Sequence, residues 1–330
     1  MKKFGGIKSC VLISYSLFIS AALFGQKSQL ETKHHKKDGK DSVKGAGYYF
    51  DAGTDKAKSG DCSAAIDLYD KAILLDPDTY DAYFDRAFCK MQLQDYEAAI
   101  KDFTSCIRLH KGLYSNALYL RGSCFSELKR YDMAITDFTK ALEGPSNADL
   151  NGARGLAYMM KGDFQNAVSD YTDAIAIDPD KTEFYGNRAI CQYRLHHLKE
   201  AAQDAEKFLD KNPSSADIAE VEVRAEFELK DYPDALLAAQ KLVAIQKSPK
   251  AYYYKGLIEF TEKKYQDGIV DFSSAISLDS TYKDAYYSRS LCYFALNDDV
   301  NACKDIRMAK KLGFPNLDGQ IDTYCKDFKK

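Results

Sequence analysis

The 330-residue chain carries 46 basic and 49 acidic side chains, a formal net charge of −3, so it has no excess of positive charge to suit nucleic acid. Its apolar content of 45% is that of a globular protein, with 24 Tyr and 18 Phe supplying the aromatic bulk and no Trp.

Residues 1–25 open with Lys2, Lys3 and Lys8, and Ser9 to Gln26 then runs without a charge. A basic start, an apolar run and small residues Ser20, Ala21 and Ala22 make up the layout of a secretory signal peptide. The competing reading, an uncleaved membrane anchor, suffers from an apolar core shorter than a comfortable span. Cys10 precedes the apolar run, which is not the place of a lipid-attachment cysteine. The expected destination is the periplasm or the outer membrane. Residues 26–45, with Lys36, Lys37, Lys40 and Lys44, read as a flexible polar linker.

From residue 46 to 315 the chain repeats itself. The stretch Gly60 to Pro77 (GDCSAAIDLYDKAILLDP) returns as Gly162 to Pro179 (GDFQNAVSDYTDAIAIDP). Eight frames begin at residues 46, 80, 115, 148, 182, 216, 249 and 283. Such a period predicts stacked helical hairpins, none able to bury its apolar face alone. Position 8 of the frame is small in most copies (Gly53, Ala87, Gly122, Gly155, Ala189, Gly256), and position 20 is Ala or Gly in all eight. Close helix crossings need small residues, so these positions mark the crossing inside each hairpin. Position 24 is large (Tyr69, Phe103, Phe138, Tyr171, Phe272), except that Ala205 and Ala239 stand there in repeats five and six while position 27 grows to Phe208 and Leu242. Volume is thereby exchanged across one helical turn. Pro77, Pro179 and Pro213 end the second helix of their hairpins.

This spacing of small, aromatic and proline positions resembles the tetratricopeptide repeat over about four-fifths of the chain. The resemblance implies an all-α, right-handed superhelical solenoid of helix-turn-helix repeats that binds a protein or peptide partner on its concave wall. Residues 316–330, with Leu317, Ile321, Cys325 and Phe328 at helical spacing, are the expected capping helix.

Comparing the copies exposes a charge pattern. Arg86/Asp102, Arg121/Asp137, Arg154/Asp170, Arg188/Asp204, Lys255/Asp271 and Arg289/Asp305 each lie sixteen residues apart, at positions 7 and 23. The remaining copies lose both members together, as Ala52/Leu68 and Glu222/Ala238. Pairing within a repeat accounts for all eight, so these are read as structural ion pairs stapling each hairpin.

Catalytic motifs are missing: there is no phosphate loop, HExxH or CxxC, and hence no expected cofactor or catalytic residue. His34, His35, His110, His196 and His197 have no thiol or carboxylate companions at ligand spacing, so no metal is expected. Cys89, Cys124, Cys191 and Cys292 recur at position 10, the mark of small apolar filler. Cys303 and Cys325 are the pair that an oxidising compartment would join, since the last hairpin should lie against the cap.

In the tetratricopeptide family the concave wall comes from positions 2, 5, 9 and 12 of each first helix. Here that wall offers the candidate partner-binding residues Phe50, Phe84, Phe88, Met91, Tyr119, Tyr253, Phe260, Tyr287 and Phe294, with an acidic rim of Asp81, Asp149, Glu183, Asp217 and Asp284. Each aromatic is either groove or inter-repeat core. In repeat two, Tyr83, Ala87 and Ala99 provide for the core, which makes Phe84 and Phe88 read as surplus, available to a partner. The family's carboxylate clamp needs Lys at position 5 and Asn at position 9, where this chain has Phe50/Thr54 and Phe84/Phe88, so that specificity is not carried over. The resulting expectation is a non-enzymatic interaction scaffold of the bacterial cell envelope. The alternative is a small-molecule binder with a pocket over Gly152 and Gly186.

Overall fold

The computed structural model describes residues 44–110, 114–145 and 147–326. The expected signal peptide, almost all of the linker, and Phe328 lie outside them. The described residues contain seventeen α-helices and no strand. The eight hairpins are α1 (Ala46–Lys58) with α2 (Cys62–Leu75), α3 (Tyr80–Gln92) with α4 (Tyr96–Leu109), α5 (Ser115–Glu127) with α6 (Tyr131–Ala141), α7 (Ala148–Lys161) with α8 (Phe164–Ile177), α9 (Thr182–Arg194) with α10 (Leu198–Lys211), α11 (Ala216–Leu229) with α12 (Tyr232–Ile245), α13 (Pro249–Thr261) with α14 (Tyr265–Leu278), and α15 (Lys283–Ala295) with α16 (Asp299–Lys311). A short α17 (Asp318–Tyr324) follows. The chain divides into two compact units, with the boundary between Phe184 and Tyr185.

Each hairpin turns by the same device. The residue at position 15 is left-handed in all eight: Gly60, Gln94, Lys129, Gly162, His196, Lys230, Lys263 and Asn297, with φ between 59° and 91°. Only two are glycine, so several hairpins carry the steric cost of an L-residue there. The next residue begins the second helix, and in five copies it is an aspartate (Asp61, Asp95, Asp163, Asp231, Asp298) whose side chain accepts a hydrogen bond from the backbone N–H three residues on.

Between the two helices the position-24 ring fills the space that position 8 vacates. Tyr69, Phe103, Phe138, Tyr171 and Phe272 are essentially inaccessible. A Cβ on Gly53 would stand 2.8 Å from the Tyr69 ring, and one on Gly122 2.7 Å from Phe138, so neither glycine tolerates a side chain without a shift of the ring. Repeat five inverts this arrangement. Its ring is Phe208, one turn later, and it lies over Gly186, where an added Cβ would come within 2.8 Å.

Within each unit, first helices of neighbouring hairpins touch one another (α1, α3, α5 and α7 in the first; α11, α13 and α15 in the second), whereas second helices of neighbouring hairpins do not among the described residues. First helices therefore form the inner wall of each stack.

The last helix is shorter than the expected cap. Asn316 is left-handed, and the helix starts only at Asp318. Leu317 and Cys325 are buried with Cys303, Ile306 and Ala309, with Ile321 packed against them. Cys303 and Cys325 form a disulfide, their Cα atoms 5.4 Å apart. No helix among the described residues is long and apolar enough to cross a membrane.

Candidate functional site

A cavity of about 420 Å³ opens on the inner wall of the first unit, bounded by α3, α5 and α7. Its apolar lining includes Phe88, Met91, Tyr119, Phe138 and Leu156, and its polar lining comes from Gln92, Gln94, Ser123, Ser126 and Glu127. The cavity arises from a difference between copies. Positions 9 and 12 hold Phe88 and Met91 in repeat two but Ser123 and Ser126 in repeat three. Two large side chains are replaced by two hydroxyls, and the vacated space is walled by the neighbours above and below. The signal in the sequence was the smallness of those serines, which a search for aromatics passes over.

The electrostatics are simple. Glu127, exposed at the mouth, is the ionisable carboxylate of the lining. Burial chiefly, with Glu127 and Cys124 adding, pushes the Tyr96 phenol up. The Cys124 thiol, also in the lining, is pushed up to about 12, first by burial and then by Glu127, so it stays protonated and a poor nucleophile at neutral pH. Apolar walls with a few hydrogen-bonding groups and one negative charge can seat an apolar side chain and orient a donor or cation beside it.

The cavity gathers Phe88, Met91 and Tyr119 from the expected groove residues. The others lie elsewhere. Phe84 is buried, its ring 5.7 Å from that of Phe103 and 5.2 Å from Tyr114. Phe88 contributes an edge to the cavity yet is only 4% exposed and belongs to the same core. The reading of these two as surplus is therefore corrected: position 5 points down into the hairpin seam, and Tyr83, Ala87 and Ala99 alone do not fill it. Phe50 packs 5.9 Å from Tyr69, and Tyr253 packs 5.8 Å from Phe272. Phe260 rests on Tyr265. Tyr287 stacks on Phe314 and Phe294 packs on Tyr324, so the C-terminal segment covers both.

Asp81, Asp149, Glu183, Asp217 and Asp284 all sit in the first turn of a first helix, where the helix dipole favours a carboxylate. None lines the cavity, and Asp149 is engaged by Lys181 at 2.7 Å. Gly186 offers no room of its own, because Phe208 fills it, and Gly152 is buried on α7.

The charge pattern resolves into forked contacts. Arg86, Arg121, Arg154, Arg188 and Arg289 each donate from Nε and Nη2 to the two carboxylate oxygens of Asp102, Asp137, Asp170, Asp204 and Asp305, at 2.6–2.9 Å. Lys255 donates to both Asp271 and Glu259. The sequence reading missed a third arm. Nη1 of Arg86, Arg121, Arg154 and Arg289 reaches back to Asp70, Thr104, Thr139 and Ser273, all at position 25 of the preceding hairpin. One guanidinium thus ties two helices of its own repeat to the repeat before it.

Residues 50–103, 90–149 and 154–226 match models of the tetratricopeptide repeat. The chain belongs to the tetratricopeptide-repeat family. Its relatives include Hsp70-Hsp90 organizing protein 3 of Arabidopsis thaliana, 26% identical over 221 residues that cover 56% of this chain and 40% of the relative. Human tetratricopeptide repeat protein 13 is 30% identical over 146 residues, covering 42% of this chain and 17% of that protein. The chain thus spans less than half the length of either. Among solved structures, the C-terminal part of a repeat protein from Cytophaga hutchinsonii superposes with a TM-score of 0.60 at 19% identity, over 72% of this chain and 98% of that one. YrrB, described as a tetratricopeptide-repeat protein with an unusual peptide-binding site, gives 0.50 at 20% identity, over 59% and 97%. At these identities the likeness is one of fold.

Proposed function

We propose that this protein is a non-enzymatic scaffold of the bacterial cell envelope that docks a peptide or protein segment on the inner wall of its first unit. The observation carrying this reading is the cavity between α3, α5 and α7. It suits one apolar side chain of an extended or helical segment, with a basic residue or backbone N–H directed at Glu127. The absence of a clamp lysine and asparagine at Phe50/Thr54 and Phe84/Phe88 argues for an apolar anchor rather than a terminal carboxylate. The names of the organizing-protein relatives and the description of YrrB fit the same class of role.

A peptide-display selection against the mature protein tests the docking. Expected winners carry an aromatic or large aliphatic residue within a few positions of Lys or Arg. Ser123→Trp, which fills the cavity from its floor, should abolish their binding. Glu127→Lys should weaken the basic winners only. Peptides that bind Ser123→Trp as well as the parent would place recognition elsewhere.

Export is supported by the layout of residues 1–25 and by the Cys303–Cys325 disulfide, a bond that persists in oxidising compartments. Intact-mass analysis of protein recovered from an envelope fraction should find a new N-terminus between about residues 22 and 27. The same spectrum should show two hydrogens fewer than the reduced protein. Retention of Met1 or Lys2 on the envelope-associated protein would overturn the export reading.

A further inference from the structure

Positions 17 and 10 of successive frames meet across the boundary between repeats. Tyr96, at position 17 of repeat two, shares an apolar cluster with Cys124, at position 10 of repeat three. Position 17 is Tyr, Phe or Leu in repeats two to seven and Asp299 in repeat eight, whereas in repeat one it is Cys62. The residue at position 10 of repeat two is Cys89. Two thiols thus fall where the next seam sets a ring against a cysteine.

Both sulfurs lie in the core that joins α2 to α3. Cys62 is 5% exposed and Cys89 inaccessible, and they belong to one cluster with Ala65, Tyr69, Ala72 and Ala82. The Cys62 thiol donates to Gln92 Oε1 at 3.2 Å, and Gln92 stands three residues beyond Cys89 on α3. Cys62 and Cys89 are also hydrogen-bonded to each other; burial first, then that bond, holds the Cys89 thiol above its ordinary value. The last hairpin is joined to its cap in a similar way. There the disulfide runs from Cys303 on the second helix, α16, to Cys325, which is position 10 of the frame continued from residue 316. Cys62 and Cys89 repeat this relation of a second helix to the following position 10, but as free thiols.

We propose that Cys62 and Cys89 are a dithiol site that a disulfide oxidant closes into a second cross-link, tying repeat one to repeat two. Cys62 takes the first step, being the sulfur nearer water: it is the first residue of α2, and Gly60, Asp61 and Ser63 around it are exposed. Its thiolate attacks one sulfur of the oxidant, forming a mixed disulfide and releasing one oxidant thiolate, which takes up a proton. The Cys89 thiolate then attacks the Cys62 sulfur, forming the protein S–S bond and releasing the second oxidant thiolate. Two protein thiols lose two electrons and two protons, and the oxidant leaves as two thiols. The link would strengthen a repeat that has Ala52 and Leu68 in place of the arginine pair and that packs, among the described residues, against one neighbour only. The chemistry depends on neither the docking cavity nor the envelope location.

The test is to incubate the folded, full-length protein, its Cys303–Cys325 bond intact, with excess oxidised glutathione and to digest it without reduction. Mass spectrometry should find a peptide linked through Cys62 and Cys89, and the intact protein should lose two hydrogens beyond those of Cys303–Cys325. The melting midpoint of the first unit should rise by about 5 °C or more. Cys62→Ser, which keeps a donor for Gln92, should give neither the link nor the rise under the same treatment. Cys89→Ala gives a second reading should Cys62→Ser fail to fold, alanine being the residue at this position in repeats four and six. Glutathione adducts without the link, both thiols left unreacted, or a link that leaves the midpoint unchanged would overturn the proposal.

Discussion

Phe84→Ala should lower the stability of the first unit by about 3–5 kcal/mol, and Phe88→Ala by a similar amount. Both rings are nearly inaccessible and share one core with Phe103, Cys106, Leu120 and Cys124, so truncation leaves a cavity that rigid helix backbones cannot close. The two residues sit one turn apart in the same cluster, so the double variant should lose less than the sum. A loss of this size shifts a thermal midpoint by roughly 10 °C in a unit of this length. Circular dichroism during heating or urea titration reads it directly. An unchanged midpoint would mean that these aromatics are dispensable to packing. It would also return them to the partner surface, where their position on the wall had first placed them. Ser123→Trp is the contrasting variant, since it adds bulk to a cavity and should leave the midpoint nearly where it was.

The start of every first helix was legible because the small residue at position 8 and the large one at position 24 recur in step, and geometry permits few other ways to pack two antiparallel helices. The pairing of Arg154 with Asp170 was legible for a related reason: eight copies in one chain act as comparisons, and the two copies lacking one partner also lack the other. The third arm of the arginine was not, because its acceptors Asp70, Thr104, Thr139 and Ser273 share an oxygen but not a residue type. The left-handed turn was equally hidden, since Gln94, Lys129, Lys230 and Lys263 carry no trace of φ near 60°. Phe84 and Phe88 were misread together because positions 5 and 9 share one helix face, and periodicity does not decide whether that face looks into the groove or into the core. The cavity escaped notice because it consists of what Ser123 and Ser126 lack.

Arg154→Met should cost about 3–5 kcal/mol, and the double change with Asp170→Leu should recover most of that loss. The asymmetry of the pair explains why. The Asp170 side chain is 4% exposed and Arg154 20%, so removing the arginine strands a carboxylate with little access to water, whereas removing the aspartate leaves a guanidinium that can still reach solvent. Nε and Nη2 of Arg154 sit 2.9 and 2.7 Å from the two carboxylate oxygens, and even so the Asp170 carboxyl is held above its ordinary value, because burial outweighs the arginine. Without Arg154 that upward push is unopposed. A group whose folded-state pKa is raised adds stability below its unfolded value and loses it as pH climbs through the folded one. The penalty of Arg154→Met should therefore be smaller near pH 4, where Asp170 can take up a proton, and larger near pH 8. Asp170→Leu removes that pH dependence in the double variant. Urea denaturation of the four proteins at both pH values gives the coupling energy, expected at about 3 kcal/mol. Losses that simply add, or a penalty independent of pH, would mean that the forked contact contributes nothing beyond the packing of its two side chains.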